Sequence, residues 1–249
     1  HGLISVENDE ILDIWPKEAM LAWVEKGKIK IGTIDEFIPA RKQSHSWKRL
    51  DGITIKEEYE EGINAYLTAS ATMVVAKEIG CPVVVSAGIG GIGDIKAEKL
   101  CYDLQALSKL GITLVATSPK DMLDIPATID WLRNNGVNIL GFDTEFCNGY
   151  IMVLEPIRLS GNISIENANR LEYGCNLVLN PIHEDKRLKD KSFLGEAIKC
   201  GKEAEEKGEH YHPAANACFD RLSLGKSSKI QLESLISNIQ VAESITKGR

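Results

Sequence analysis

The sequence predicts an α/β protein, a three-layer α/β/α arrangement with a largely parallel or mixed central sheet. Short continuous apolar runs recur at residues 81–85, 112–116, 137–142 and 176–179, as strands buried on both faces require. Segments with helical apolar spacing separate them. Loops rich in Gly, Pro, Ser or Asn follow the runs, at 86–94, 117–121, 142–150 and 180–181. Alternation of this kind implies parallel strands joined by helical crossovers.

Residues 40–58 are polar and irregular and read as a mobile loop. Over 59–80, Ile63, Leu67, Ala71, Val74 and Ile79 recur at helical spacing, and Gly80 ends the helix. The run 81–85 is the first buried strand, followed by the Gly-rich loop Ala87-Gly88-Ile89-Gly90-Gly91-Ile92-Gly93. Residues 97–110 read as a helix with Leu100, Leu104 and Leu107 on one face, and 112–116 is the second strand. Asp124 is a suitable N-cap for the next helix, with Pro126 in the first turn, where its missing N–H costs nothing. That helix ends near Asn135-Gly136, and 137–142 is the third strand. A helix is expected over 165–173, a fourth strand over 176–179, and amphipathic helices over 191–207 and 229–247. With no linker or repeat, residues 1–249 read as a single domain.

Lys plus Arg is 29 and Asp plus Glu is 36, a formal charge of −7. That argues against nucleic acid or anionic membrane as a partner, because counterion release needs a basic surface. No apolar run reaches the ~18 residues a spanning helix needs, and Asp9, Glu10 and Asp13 interrupt any signal-peptide core. The six cysteines are scattered without ligand spacing, which reads as reduced thiols in the cytoplasm.

Ligands of such sheets sit beyond the carboxyl ends of the strands, so the loops after the strands are the first place to look for a site. The Gly-rich loop offers backbone N–H groups that can cradle phosphate or carboxylate, though a tight turn explains it as well. Lys120, in the loop after the second strand, is a candidate amine nucleophile if partly desolvated, and otherwise one exposed lysine among many. Asp103 can position water or pair with Lys120, or be a solvated helix charge. His210-Tyr211-His212 reads as a surface loop rather than a metal pair. Gly225-Lys226-Ser227-Ser228-Lys229 reads as a phosphate-contacting helix start or a plain N-cap at Ser227 or Ser228.

Taken together, these pieces resemble the pseudouridine-5′-phosphate glycosidase family, also called indigoidine synthase A-like. Its Gly-Gly-Ile-Gly-Gly turn, its helix reading Ala-Asp-Leu-Gln-Glu-Leu and its Ala-Lys-Ser-Ile-Leu-Asp loop reappear here. The local versions are Ala87-Gly88-Ile89-Gly90-Gly91, Tyr102-Asp103-Leu104-Gln105-Ala106-Leu107 and Pro119-Lys120-Asp121-Met122-Leu123-Asp124. Thr68-Ala69-Ser70-Ala71-Thr72-Met73, Gly136-Val137-Asn138-Ile139-Leu140-Gly141-Phe142 and Leu179-Asn180-Pro181-Ile182 extend the likeness, which spans most of residues 17–247.

The resemblance implies cleavage of the C–C glycosidic bond of pseudouridine 5′-phosphate to uracil and ribose 5-phosphate, through a Schiff-base-type adduct. It implies Lys120 as the nucleophile and Asp103 beside it. Ala69, Thr72, Gly88, Gly90, Gly91, Cys101, Tyr102, Asn238 and Arg49 are implied in substrate binding, with Lys48 as an alternative to Arg49 at the phosphate. A homotrimer and Mn²⁺ are implied too. Lys99, however, stands where the family has its ligand aspartate, and an ammonium repels a cation it cannot coordinate; Glu98 or Asp94 are the substitutes within reach in sequence. The family's His-Arg-Gly after the Gly-rich turn and its glutamate-bearing N-terminal strand have no counterpart here, with Gly93-Asp94-Ile95 in place of the former. The alternatives are a relative that binds or assembles without glycosidase activity, and a C–C bond lyase or synthase acting on another sugar phosphate.

Overall fold

The structure is a computed structural model that describes residues 3–56, 62–96 and 99–247. Its first half runs α1 (Asn8–Ile14), β1 (Leu21–Glu25), β2 (Lys28–Gly32), α2 (Ile34–Arg41), β3 (Lys48–Leu50), β4 (Ala65–Leu67), α3 (Ala69–Glu78), β5 (Val83–Val85), α4 (Tyr102–Lys109), β6 (Thr113–Ala116) and α5 (Ile125–Asn134). The second half runs β7 (Asn138–Phe142), β8 (Phe146–Cys147), β9 (Ile157–Arg158), β10 (Gly161–Ile163), β11 (Asn176–Leu179), α6 (Ser192–Glu206), α7 (Tyr211–Leu222) and α8 (Lys226–Thr246). No helix of the described residues is long and apolar enough to cross a membrane.

Strands β10-β7-β11-β6-β5 form the central sheet in that order, every pair parallel. Its strands send alternate side chains to opposite faces, the period of two that a pleated strand imposes. Leu114, Ala116, Ile139, Leu177 and Leu179 pack with Met73, Leu104, Leu107, Ile129 and Leu132 from α3, α4 and α5. Val115 and Val178, with Leu140, pack on the other face with Val241, Ala242 and Ile245 of α8. Helices on both faces make the expected three layers. Asp124 caps α5, accepting from the Ala127 N–H at 2.9 Å.

A second sheet, β2-β1-β4-β3, was not foreseen. Its β1–β2 hairpin turns through Lys26 and Gly27, both at positive φ, the two-residue turn whose twist suits a hairpin. The expected helix over 59–80 is therefore two elements, β4 and then α3, with Thr68 as N-cap accepting from the Ala71 N–H; residues 57–61 lie outside the described part. A spacing of four is common to one helix face and one strand face. Ile63 and Ala65 reach the Val24, Leu50 and Ile55 cluster from extended chain.

Residues 40–56 are likewise ordered into secondary structure rather than a loop: α2 ends there, β3 pairs parallel to β4, and Asp51 Oδ1 accepts from the N–H groups of Ile53 and Thr54. The helix expected from 97 starts at Tyr102, because Leu100 bridges to Ile92 and the Cys101 N–H donates to the Gly91 carbonyl; residues 97–98 are outside the described part. Over 165–173 there is one 3₁₀ turn, Ala168–Arg170.

His210-Tyr211-His212 is not a surface loop. It opens α7, which packs against α6, and the Tyr211 ring lies where any side chain at Gly201 would collide with it. Neither reading of residues 225–229 holds. Gly225, at φ +82°, is the N-cap of α8. Ser227 and Ser228 are fully buried, and their hydroxyl and N–H respectively donate to Asp220 Oδ1. The anion at this helix start is the chain's own carboxylate.

Candidate functional site

The carboxyl ends of β5, β6 and β7 meet the second sheet around a cavity of about 310 Å³, a size usual for small-molecule sites. Arg49, Ala69, Gly88, Gly90, Cys101, Asp103 and Lys120 line it, together with Trp23, Tyr66, Tyr150, His212, Asn216 and Gln231. Thr72, Gly91, Tyr102 and Asn238 are not on its wall. Lys48 and Lys99 are exposed and also off the wall.

The Lys120 backbone is held by the Gly-rich loop. The Ile89 N–H donates to the Ser118 carbonyl at 3.1 Å, and the Lys120 N–H donates to the Ile89 carbonyl at 3.2 Å. Ile89 and Pro119 thus form a parallel bridge that carries the β5–β6 pairing past the strand ends.

Asp103 is buried rather than solvated. Its carboxylate accepts from the Ser70 N–H at 2.7 Å, in the first turn of α3, and from the Gly90 N–H at 2.9 Å. Gly90 is required for packing: a Cβ there would lie 2.7 Å from the Cys101 Cβ and in collision with its sulfur. Asn238, fully buried in α8, stands behind the same loop. It donates to the Ser86 carbonyl at 2.9 Å and to Thr117 Oγ1 at 3.1 Å, and accepts from Asn180 Nδ2 at 3.0 Å. The resemblance implied it in substrate binding; here its amide joins three strand ends.

Asp121, next to Lys120, points the other way. Its carboxylate accepts from the N–H groups of Tyr150, Ile151 and Met152 at 2.6–3.0 Å. Burial raises its pKa to about 6, opposed by those amides and by Arg187. Arg187, only 1% exposed, donates to the carbonyls of Ile182, Asn148, Gly149 and Met152. This clamp sets Tyr150 against Gly88. The Tyr150 hydroxyl is buried, and burial, opposed by Ser234, pushes its pKa up.

His212 was missed as a site residue. It is 6% exposed, its Nδ1 has no partner, and its ring stands edge-on to Tyr211 at 5.5 Å. Burial, then the charges of Lys120 and Arg49, hold its pKa well below the ordinary value, so the imidazole is neutral at pH 7. Asn216, one turn later on α7, lines the same cavity. The available signal was the run Ala215, Cys218, Phe219 and Leu222, whose helical spacing puts residues 212 and 216 on a common face.

The manganese expectation does not fit the donors present. Asp94 is exposed and paired with Lys202 at 2.6 Å, Glu98 lies outside the described residues, and no group of three His, Cys, Asp or Glu among the described residues could hold a metal.

Residues 17–248 match the family described as indigoidine synthase A like protein. The chain belongs to that family. The pseudouridine-5′-phosphate glycosidase of Petrotoga mobilis is 27% identical over 236 residues, covering 89% of this chain and 77% of the relative. The enzyme of the same name from Escherichia coli is 25% identical, with 89% and 76% covered. Among solved structures, an indigoidine synthase A-like protein of Thermotoga maritima superposes with a TM-score of 0.76 at 24% identity, covering 96% of this chain and 83% of that one. A prealnumycin C-glycosynthase, solved in complex with ribulose 5-phosphate, has a TM-score of 0.71 at 20% identity, covering 91% and 80%. Both structures share the fold.

Proposed function

We propose that this chain is an enzyme of C-glycosidic bonds that acts on a phosphorylated sugar through Lys120, with pseudouridine 5′-phosphate as the leading substrate. One observation carries the reading: the family's nucleophile position is kept as Lys120, and its side chain lines a cavity of small-molecule size that also holds Arg49. Arg49 puts a cation in that cavity, in a chain with charge −7, and so suits a phosphate monoester. The relatives named pseudouridine-5′-phosphate glycosidase support the substrate.

In this reading the Lys120 amine adds to sugar C1 as the C1–ring-oxygen bond breaks, and the ring oxygen takes up a proton. The nitrogen lone pair then forms C=N as the C1–C5 bond to uracil breaks, and uracil C5 takes a proton. Water adds to the iminium and releases ribose 5-phosphate and the amine. Covalent attachment splits one hard cleavage into easier steps. Asp103 contributes by fixing the Gly-rich loop. No step passes through a metal.

The test is incubation with ribose 5-phosphate, reduction by borohydride and mass spectrometry, alongside uracil release from pseudouridine 5′-phosphate. The expected result is one adduct on the peptide holding Lys120, absent from Lys120→Ala, and uracil release lost in the same variant. A wild-type protein that forms no adduct, where a relative from the same family does, overturns the proposal. An adduct without uracil release moves the substrate to another sugar phosphate and keeps the lysine.

A further inference from the structure

Two wall residues that the sequence reading left out of the site, His212 and Asn216, lie on α7. His212 is a buried imidazole on the wall of the cavity that Lys120 also lines. Its Nδ1 is closed off and has no partner among the described residues, which leaves Nε2 as the ring nitrogen for proton exchange in the cavity. The cations of Lys120 and Arg49 both act on its ring.

We propose that His212 is the proton carrier of the lysine step: it takes a proton from the Lys120 ammonium and delivers it to the sugar ring oxygen. The proposal rests on Lys120 being the nucleophile. The ammonium loses one proton to the imidazole, leaving the amine lone pair. Nζ then bonds to C1 as the C1–O bond breaks, and the imidazolium returns its proton to that oxygen. His212 ends neutral, and the positive charge stays on nitrogen. Burial keeps the imidazole unprotonated between turnovers and makes the imidazolium, once formed, a strong donor to the ring oxygen. Once Lys120 gives up its charge, part of the repulsion that opposed protonation of His212 disappears.

The charged and titratable groups facing His212 come from several elements. Arg49 of β3, Asp103 of α4, Lys120 after β6 and Tyr150 after β7 share its cavity. Glu205 of α6, with Glu209, His210 and Tyr211, lines a smaller pocket that His212 and Arg49 also line.

The experiment follows the rate of borohydride-trapped adduct with ribose 5-phosphate against pH, for wild type, His212→Gln and His212→Ala, with circular dichroism and unfolding midpoints to check folding. The expected result is that His212→Gln slows trapping about 10²-fold at pH 7, a usual size for lost proton transfer. The deficit narrows as pH rises and solvent deprotonates Lys120. Added imidazole restores part of the rate in His212→Ala, a rescue that a packing role does not produce.

Equal rates and pH profiles in wild type and His212→Gln overturn the proposal and leave Lys120 as nucleophile. A slowed variant that neither pH nor imidazole restores also overturns it, as the sign of a structural histidine. No adduct in wild type at any pH overturns it together with the lysine reading.

Discussion

The Asp103 carboxylate and the Gly90 amide meet at 2.9 Å on the wall of the cavity that Lys120 also lines. The other oxygen of the same carboxylate takes the Ser70 N–H. One side chain of α4 therefore fixes the Gly-rich loop against the start of α3. Asp103→Asn keeps one acceptor oxygen and turns an NH₂ toward a backbone N–H. Denaturant unfolding should show a loss of about 1–3 kcal/mol. A variant within about 0.5 kcal/mol of wild type would remove Asp103 from this role.

Gly90→Ala should be costlier than alanine substitution in an ordinary loop. Its Cβ runs into Cys101, a buried residue that cannot swing away, and overpacking of this kind costs about 1–3 kcal/mol. Cys101→Ala in the same chain should recover part of the loss, because the sulfur goes while the Cβ at 2.7 Å stays. Strict additivity in the double-mutant cycle would contradict the contact.

Asn238→Ala should cost about 1–3 kcal/mol, since the buried Thr117 hydroxyl and the half-buried Ser86 carbonyl lose a donor and Asn180 loses an acceptor. Asn238→Asp should not rescue it, having no N–H to give that carbonyl. Equal stability of the aspartate variant and wild type would refute the tie.

Two buried groups give stability opposite dependences on pH. His212 has its pKa depressed in the fold, so the unfolded chain takes up a proton first and stability falls as pH drops below about 6.5. Asp121 has its pKa raised to about 6. The stability tied to its protonation is complete below about 4 and lost as pH rises through 6, on the order of 3 kcal/mol in all. From pH 7.5 to 5.5, His212→Gln should lose less stability than wild type and Asp121→Asn more. Urea midpoints at both pH values decide it: two variants that run parallel to wild type would show that neither group carries the dependence.

Much of this was legible in the sequence, for reasons that are physical. Strands β5, β6, β7 and β11 are short and buried on both faces, so each appears as an apolar run. Asp124 and Pro126 announce the start of α5 by their own chemistry. The second sheet was hidden because Ile63 and Leu67 run into α3 at a spacing of four, and because β2 is largely exposed. Lys120 and Asp103 were candidates by position, each with a plainer reading beside it, and the family motif is what joined them. The structure adds that Asp103 is buried and that Asp121, not singled out, organises the turn through Tyr150. His212 is placed by the packing of α7 on α6, a long-range contact that no local motif encodes.

The Ile89–Pro119 bridge has a dynamic consequence. It makes the Lys120 amide part of the sheet's hydrogen-bonded ladder, so its proton should exchange with solvent only through openings that also free β5 and β6. A lysine on a loose loop would have to be immobilised each time a ligand arrives. Here the backbone at that lysine is already ordered in the folded chain, and a ligand's affinity is not reduced by ordering it.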